Sequence, residues 1–238
     1  MNTHSPKSIL LVAYTPGGVW MDAGLTARLV QCALSGRYGF KPSEIFVNDH
    51  PSGKSIPEYH TKLMRRIEAG SVELLDATMG GADTLPVFHI SVSGNSGASC
   101  ITKVRLPYSP TEVDPEFVQR VRQVAQCLIE DTCAEFLRGH DFDEWGRLHR
   151  ERKGRRLFVP SQVDGAYWLT YLCGDYVTRL GGEAKFTVAP VASCSRVSDG
   201  VLLQSHASFV GLDQGPHKGG LDSLHNYLAS LVKPEDRP

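Results

Sequence analysis

Nine histidines punctuate this chain, at 4, 50, 60, 89, 140, 149, 206, 217 and 225, and imidazole is a ready general base and metal ligand. No two of them stand at HxxxH or HxH spacing, and no HExxH occurs, so none of the usual zinc patterns is written here. The segment His140-Asp141-x-Asp143-Glu144 gathers carboxylates suited to a hard cation. Loop carboxylates are ordinarily solvated, and no metal site is expected. Gly94-Asn95-Ser96-Gly97-Ala98 approaches the Gly-x-Ser-x-Gly elbow, in which a strand, a sharp turn and a helix raise the serine hydroxyl. Here the continuation reads as a second strand, so a hairpin turn of small residues explains it better. Gly215-Pro216-His217-Lys218-Gly219-Gly220 stands before a helix and offers amides to a phosphate, but a Walker loop places its lysine after the glycines. The expectation is therefore no catalytic residue, no metal and no cofactor. Ser96, or His206 with Asp213, is where a small hydrolase or transferase would have to be built.

A second chemistry is electrostatic. Arg147, Arg150, Arg152, Lys153, Arg155 and Arg156 place six cations in ten residues, offset only by Glu151. Such a run can contact a phosphate backbone or an acidic protein surface, or simply be a solvated helix end. Asp141, Asp143 and Glu144 precede it, and Trp145 stands between. A charged rim around an aromatic is typical of protein interfaces, where tryptophan and arginine are the enriched anchors.

Elements must position these groups. Residues 8–14 read as a buried strand ended by Pro16-Gly17-Gly18, and 20–35 as a helix with Leu25, Leu29 and Cys32 on one face. A short strand at 45–48, a helix opened by Pro57 and ended by Gly70, and a strand at 72–75 follow. Phe88, Ile90 and Val92 alternate with polar residues, as does the run 100–106, which makes a hairpin. Asp114-Pro115-Glu116 is a helix opening, predicting a helix that carries Phe117, Val121, Val124, Leu128 and Phe136 and runs to Arg138-Gly139. Residues 142–156 begin as a short helix on Trp145 and Leu148.

The stretch 164–206 organises the rest. Trp168, Leu172 and Tyr176 fall at i, i+4, i+8 with Leu169, Cys173, Val177 and Leu180 beside them, predicting a helix from an Asp164 cap to a Gly181-Gly182 stop. Two strands follow, within 185–192 and over 201–206, joined across Ser198-Asp199-Gly200. Leu221, Leu224, Leu228 and Val232 make a last helix, and 234–238 a frayed tail. Hairpins and helices without regular alternation predict an α+β fold, with largely antiparallel sheet flanked by amphipathic helices. We read a single domain, 1–238, whose alternative division is into halves 1–110 and 111–238.

With 25 basic and 26 acidic residues, the formal net charge is -1, against the strongly basic balance of a dedicated nucleic-acid binder. Six cysteines, at 32, 100, 127, 133, 173 and 194, form no CxxC, which suggests reduced thiols and a cytoplasmic location. The apolar run near the start is too short for a signal segment or a membrane span.

The order W-L-x-Y-L-x-x-x-Y-V-x-R-L-G-G over 168–182, then D-G-V-L-L-Q over 199–204 and G-L-D over 211–213, resembles the C-terminal half of immunity proteins. The family guards type VI secretion and polymorphic-toxin systems, particularly those with restriction-endonuclease-fold nuclease toxins. Its pattern has Gly-Asp where this chain has Gly-Leu-Asp, and the match covers roughly the last third of the chain. The resemblance implies a cytosolic, non-enzymatic protein that binds a cognate toxin and occludes its active site or substrate groove, with no membrane and no direct nucleic-acid contact. Composition, not the family, offers Trp145, Arg147, Arg150 and Arg152 as anchors, with the loop around Asp213 and His217 second.

Overall fold

The computed structural model describes residues 7–16, 23–48, 50–51, 56–69, 74–78, 86–91, 100–109, 113–142, 157, 163–210 and 215–237. Among these residues ten strands form one sheet: β1 Lys7–Thr15, β2 Glu44–Val47, β3 His50–Pro51, β4 Leu74–Thr78, β5 Val87–Ser91, β6 Cys100–Tyr108, β7 Phe136–Asp141, β8 Leu169–Leu172, β9 Ser193–Val197 and β10 Gly200–Gln204. Their order is β3-β2-β4-β5-β6-β1-β7-β8-β10-β9, and each neighbouring pair is antiparallel. The helices given in full by the described residues are α1 Ala23–Ser35, α2 Ile56–Glu68, α3 Pro115–Thr132, α4 Gly174–Arg179 and α5 Gly215–Leu231. The fold is α+β, built of antiparallel strands with amphipathic helices against them.

The strand register sorts side chains onto two faces. Leu11 lies opposite Gly139, Gly139 opposite Leu169, Leu169 opposite Gln204, and Gln204 opposite Ser193, so these five share one face. The row is tightly filled: a Cβ on Gly139 would lie 2.8 Å from Leu11 Cδ2 and 3.0 Å from Leu169 Cβ. The α3 helix lies on this side. Thr15 Oγ1 donates to the Thr132 carbonyl at 3.0 Å, and Gly39 is wedged between Val124 of α3 and Leu106 of the sheet. The next row, Val12, Arg138, Thr170, Leu203 and Cys194, points to the opposite face.

Local chemistry sets the bounds of α3. Asp114 accepts from the Phe117 N–H at 2.7 Å as N-cap, and Pro115 occupies the first turn, where its missing N–H is harmless. Cys133 turns left-handed at φ 51 and ends the helix. That end overturns the predicted extension to Arg138-Gly139. Phe136–Asp141 is a strand between β1 and β8 with all six residues buried, and a run buried on both faces has no alternation to distinguish it from helix.

The same physics overturns the organising helix. Leu169–Leu172 is strand β8, buried throughout between β7 and β10, and only the six residues of α4 are helical before Gly181 and Gly182, at φ 98 and 92. Asp164 caps no helix; its carboxylate binds Arg138 and Tyr167. The run predicted as a strand within 185–192 is instead a 3-10 turn over Glu183–Val188, from which only Phe186 is buried. Gly215–Leu231 starts helical at a position predicted as loop. The tail is fastened: Arg179 donates to Asp236 at 2.9 Å, across the 3-10 turn Pro234–Asp236.

Candidate functional site

The anchors proposed from composition, Trp145, Arg147, Arg150 and Arg152, lie outside the described residues, as do Ser96 and Asp213. Of His217 only the backbone, in the first turn of α5, is described. His206 is held in packing: Nδ1 lies 3.0 Å from Ser205 Oγ, and a Cβ on Gly220 would lie 2.4 Å from Nε2. Its carbonyl accepts from Trp168 Nε1 at 3.0 Å and Gln204 Nε2 at 2.6 Å. Among the described residues, no cluster of three or more His, Cys, Asp or Glu could hold a metal.

The motif residues over 168–204 are explained by structure. Asp199 Oδ1 accepts from Tyr171 OH at 3.0 Å and Oδ2 from the Gly174 N–H at 3.3 Å, which ties the β9–β10 turn to the start of α4. Gly200 passes so close to β8 that a Cβ would sit 2.1 Å from the Leu172 carbonyl oxygen; no other residue fits there without backbone movement. Trp168 is fully buried and stacks edge-on with Phe209 at 4.9 Å.

Two polar clusters among the described residues lie at the sheet and bear on chemistry. The first is on the face opposite α3. Arg138 Nη1 donates to Asp164 Oδ2 at 3.0 Å and to Tyr167 OH at 3.3 Å, with the Tyr14 and Tyr167 rings each 5.4 Å from the guanidinium carbon. Burial works against this cation's charge, but Tyr14, Tyr167 and Asp164 more than offset it, and its pKa is raised. Two residues further along β7, and so on the same face, His140 is fully buried. Its Nδ1 lies 2.9 Å from the Asp141 carbonyl oxygen; a carbonyl only accepts, so Nδ1 carries the hydrogen and Nε2 the lone pair. Burial first, and the Arg138 charge second, push its pKa down to about 3, against the pull of the Asp141 backbone bond. This cluster is a closed arrangement of charge and aromatic rings, with Arg138 only 9% exposed.

The second cluster is open. A groove of about 460 Å³ runs between α3 and the β9–β10 end of the sheet, with Val118, Gln119 and Arg122 on the helix side and Ser193, Gln204 and Ser208 opposite. Gln204 is spent on structure: its Nε2 donates to the His206 and Ala207 carbonyls and its Oε1 accepts from Ser193. Asp114, at the helix start, is the N-cap. The half-buried Arg122 is different, since its Nε is buried without an acceptor. Its signal in the sequence is a cation one turn after Val118 and beside Val121, inside an apolar helix face. A buried donor left unmade is destabilising by roughly 1–3 kcal/mol unless something fills it.

A ten-stranded antiparallel sheet with helices packed on it, carrying an open groove at one end, is the class of protein defined here. In three dimensions the chain is similar to the Pseudomonas aeruginosa T6SS protein PA0821, with a TM-score of 0.56 and 14% identity, over 95% of this chain and 73% of that one. No protein-family model and no curated protein sequence matches it. At that identity the likeness is one of fold. No helix among the described residues is long and apolar enough to cross a membrane.

Proposed function

We propose that this chain is an immunity protein that binds a cognate secreted toxin, of nuclease type, and occludes its active site or substrate groove. The observation that carries the reading is the fold likeness to a T6SS protein over 95% of the chain. The W-L-x-Y-L…L-G-G and D-G-V-L-L-Q residues that resemble such immunity proteins lie in and beside β8 and β10, toward the β9 end of the sheet, and the resemblance supports the reading further. The protein acts in the cytoplasm, as a binder and not as an enzyme. It meets its toxin through a standard-sized interface with a few aromatic and arginine anchors. Trp145, Arg147, Arg150 and Arg152 are proposed for that role, with the loop around Asp213 and His217 second.

The test is co-expression with the product of the adjacent gene. Cells that survive a lethal neighbour, and a complex that co-purifies, are the expected result. A harmless neighbour with no complex would remove the proposal. Trp145→Ala and Arg150→Glu should then weaken rescue without altering the melting temperature.

A further inference from the structure

We infer that the groove between α3 and β9 is the docking site for an extended, carboxylate-bearing segment of a partner protein, which lies along β9 as an eleventh strand with its carboxylate on Arg122. The inference rests on the reading of the chain as a toxin-binding protein and names a surface for it within the described residues.

Charge selects the occupant. Three other guanidiniums meet a carboxylate at short range: Arg37 has Asp131 at 2.6 Å, Arg138 has Asp164 at 3.0 Å and Arg179 has Asp236 at 2.9 Å. Arg122 has neither ion pair nor hydrogen bond to a described residue, and its Nε is buried without an acceptor. The groove's own carboxylate, Asp114, is committed to the α3 N-terminus. A desolvated guanidinium fork is matched by a carboxylate in geometry as well as charge.

The strand edge selects the form. β9 ends the sheet order, so one of its edges meets no strand among the described residues, and alternate residues of an antiparallel strand direct N–H and C=O groups to that side. Ser193 lines the groove, and Ser195, two residues on and so on the same face, holds a buried Oγ without a partner. Arg196 is 68% exposed and only loosely held by Glu183 at 3.7 Å, a second cation beside the edge. Such a charge discourages pairing between copies of one chain and favours an acidic visitor. An extended peptide that adds to a sheet edge takes affinity from main-chain bonds and specificity from side-chain pockets.

The full-length ¹⁵N-labelled protein would be titrated with a blocked peptide, acetyl-Thr-Val-Thr-Glu-Val-Thr-Val-amide, and with its Glu→Gln counterpart. Saturable shifts are expected at the β9 amides and at the Arg122 Nε–H. The Gln peptide should bind at least about tenfold more weakly, as should the glutamate peptide to Arg122→Gln, because the charge-assisted bond is lost. An unshifted β9, or equal binding of the two peptides, overturns the proposal. Glutarate shifting Arg122 while the peptide leaves β9 untouched overturns it too, since the site would then be a plain anion pocket. Arg122→Glu in the co-expression assay separates the two readings. Peptide binding without any toxin complex keeps the groove and removes the immunity role, whereas a toxin complex indifferent to Arg122→Glu keeps the role and removes the groove.

Discussion

Arg138 and Asp164 meet at 3.0 Å between Nη1 and Oδ2, joining strand β7 to the segment that leads into β8. Asp164 Oδ2 also accepts from Tyr167 OH at 2.8 Å, and the side chains are only 11% and 18% exposed. Removing one member strands the other in a poorly solvated site. Arg138→Met should therefore destabilise the fold by about 3–5 kcal/mol. Arg138→Met with Asp164→Leu should lose much less than the two single changes added together. Urea unfolding of the four proteins of the cycle checks this; additive losses would mean that the pair is not coupled.

His140 makes stability depend on pH in a stated direction. In the folded chain it is neutral down to about pH 3, against 6.5 ordinarily. Between those values the unfolded chain binds a proton that the folded chain refuses, so acid favours unfolding. The contribution is fully present above pH 6.5 and declines below it, by up to about 1.4 kcal/mol per pH unit for one proton. His140→Asn should flatten the dependence between pH 6.5 and 4 in chemical denaturation, and parallel curves for the two proteins would refute the assignment.

What was legible in the sequence follows from how each segment is buried. The pattern at 88–92 and 100–106 alternates because polar residues such as His89 and Lys103 share one face of β5 and β6, and the hairpin was readable to within a few residues. α3 carried its own opening in Asp114 and Pro115. Leu169–Leu172 and Phe136–Asp141 are buried on both faces, so periodicity reported only apolarity, and flanking aromatics completed a false helical stripe. The α3 end was hidden because Cys133 adopts φ 51 without being glycine or asparagine. The groove was harder still. Arg122 comes from α3, and Ser193 and Gln204 from strands far later in the chain, and no local spacing links them.

Thr102 offers a change that should improve the fold. It lies in β6 between Ala13 of β1 and Ile90 of β5, is fully buried, and its Oγ1 has no hydrogen-bond partner. The hydroxyl was desolvated on folding and receives nothing in return. Valine keeps the β-branch that suits a strand and replaces the hydroxyl with a methyl of similar size. Thr102→Val should stabilise by about 1 kcal/mol and raise the melting temperature by roughly 2–4 °C for a chain of this length. Thr102→Ser keeps the unsatisfied hydroxyl, removes the methyl and should destabilise. The pair of variants separates packing from hydrogen bonding: if valine destabilises as much as serine does, the hydroxyl has a partner and the site is polar by design.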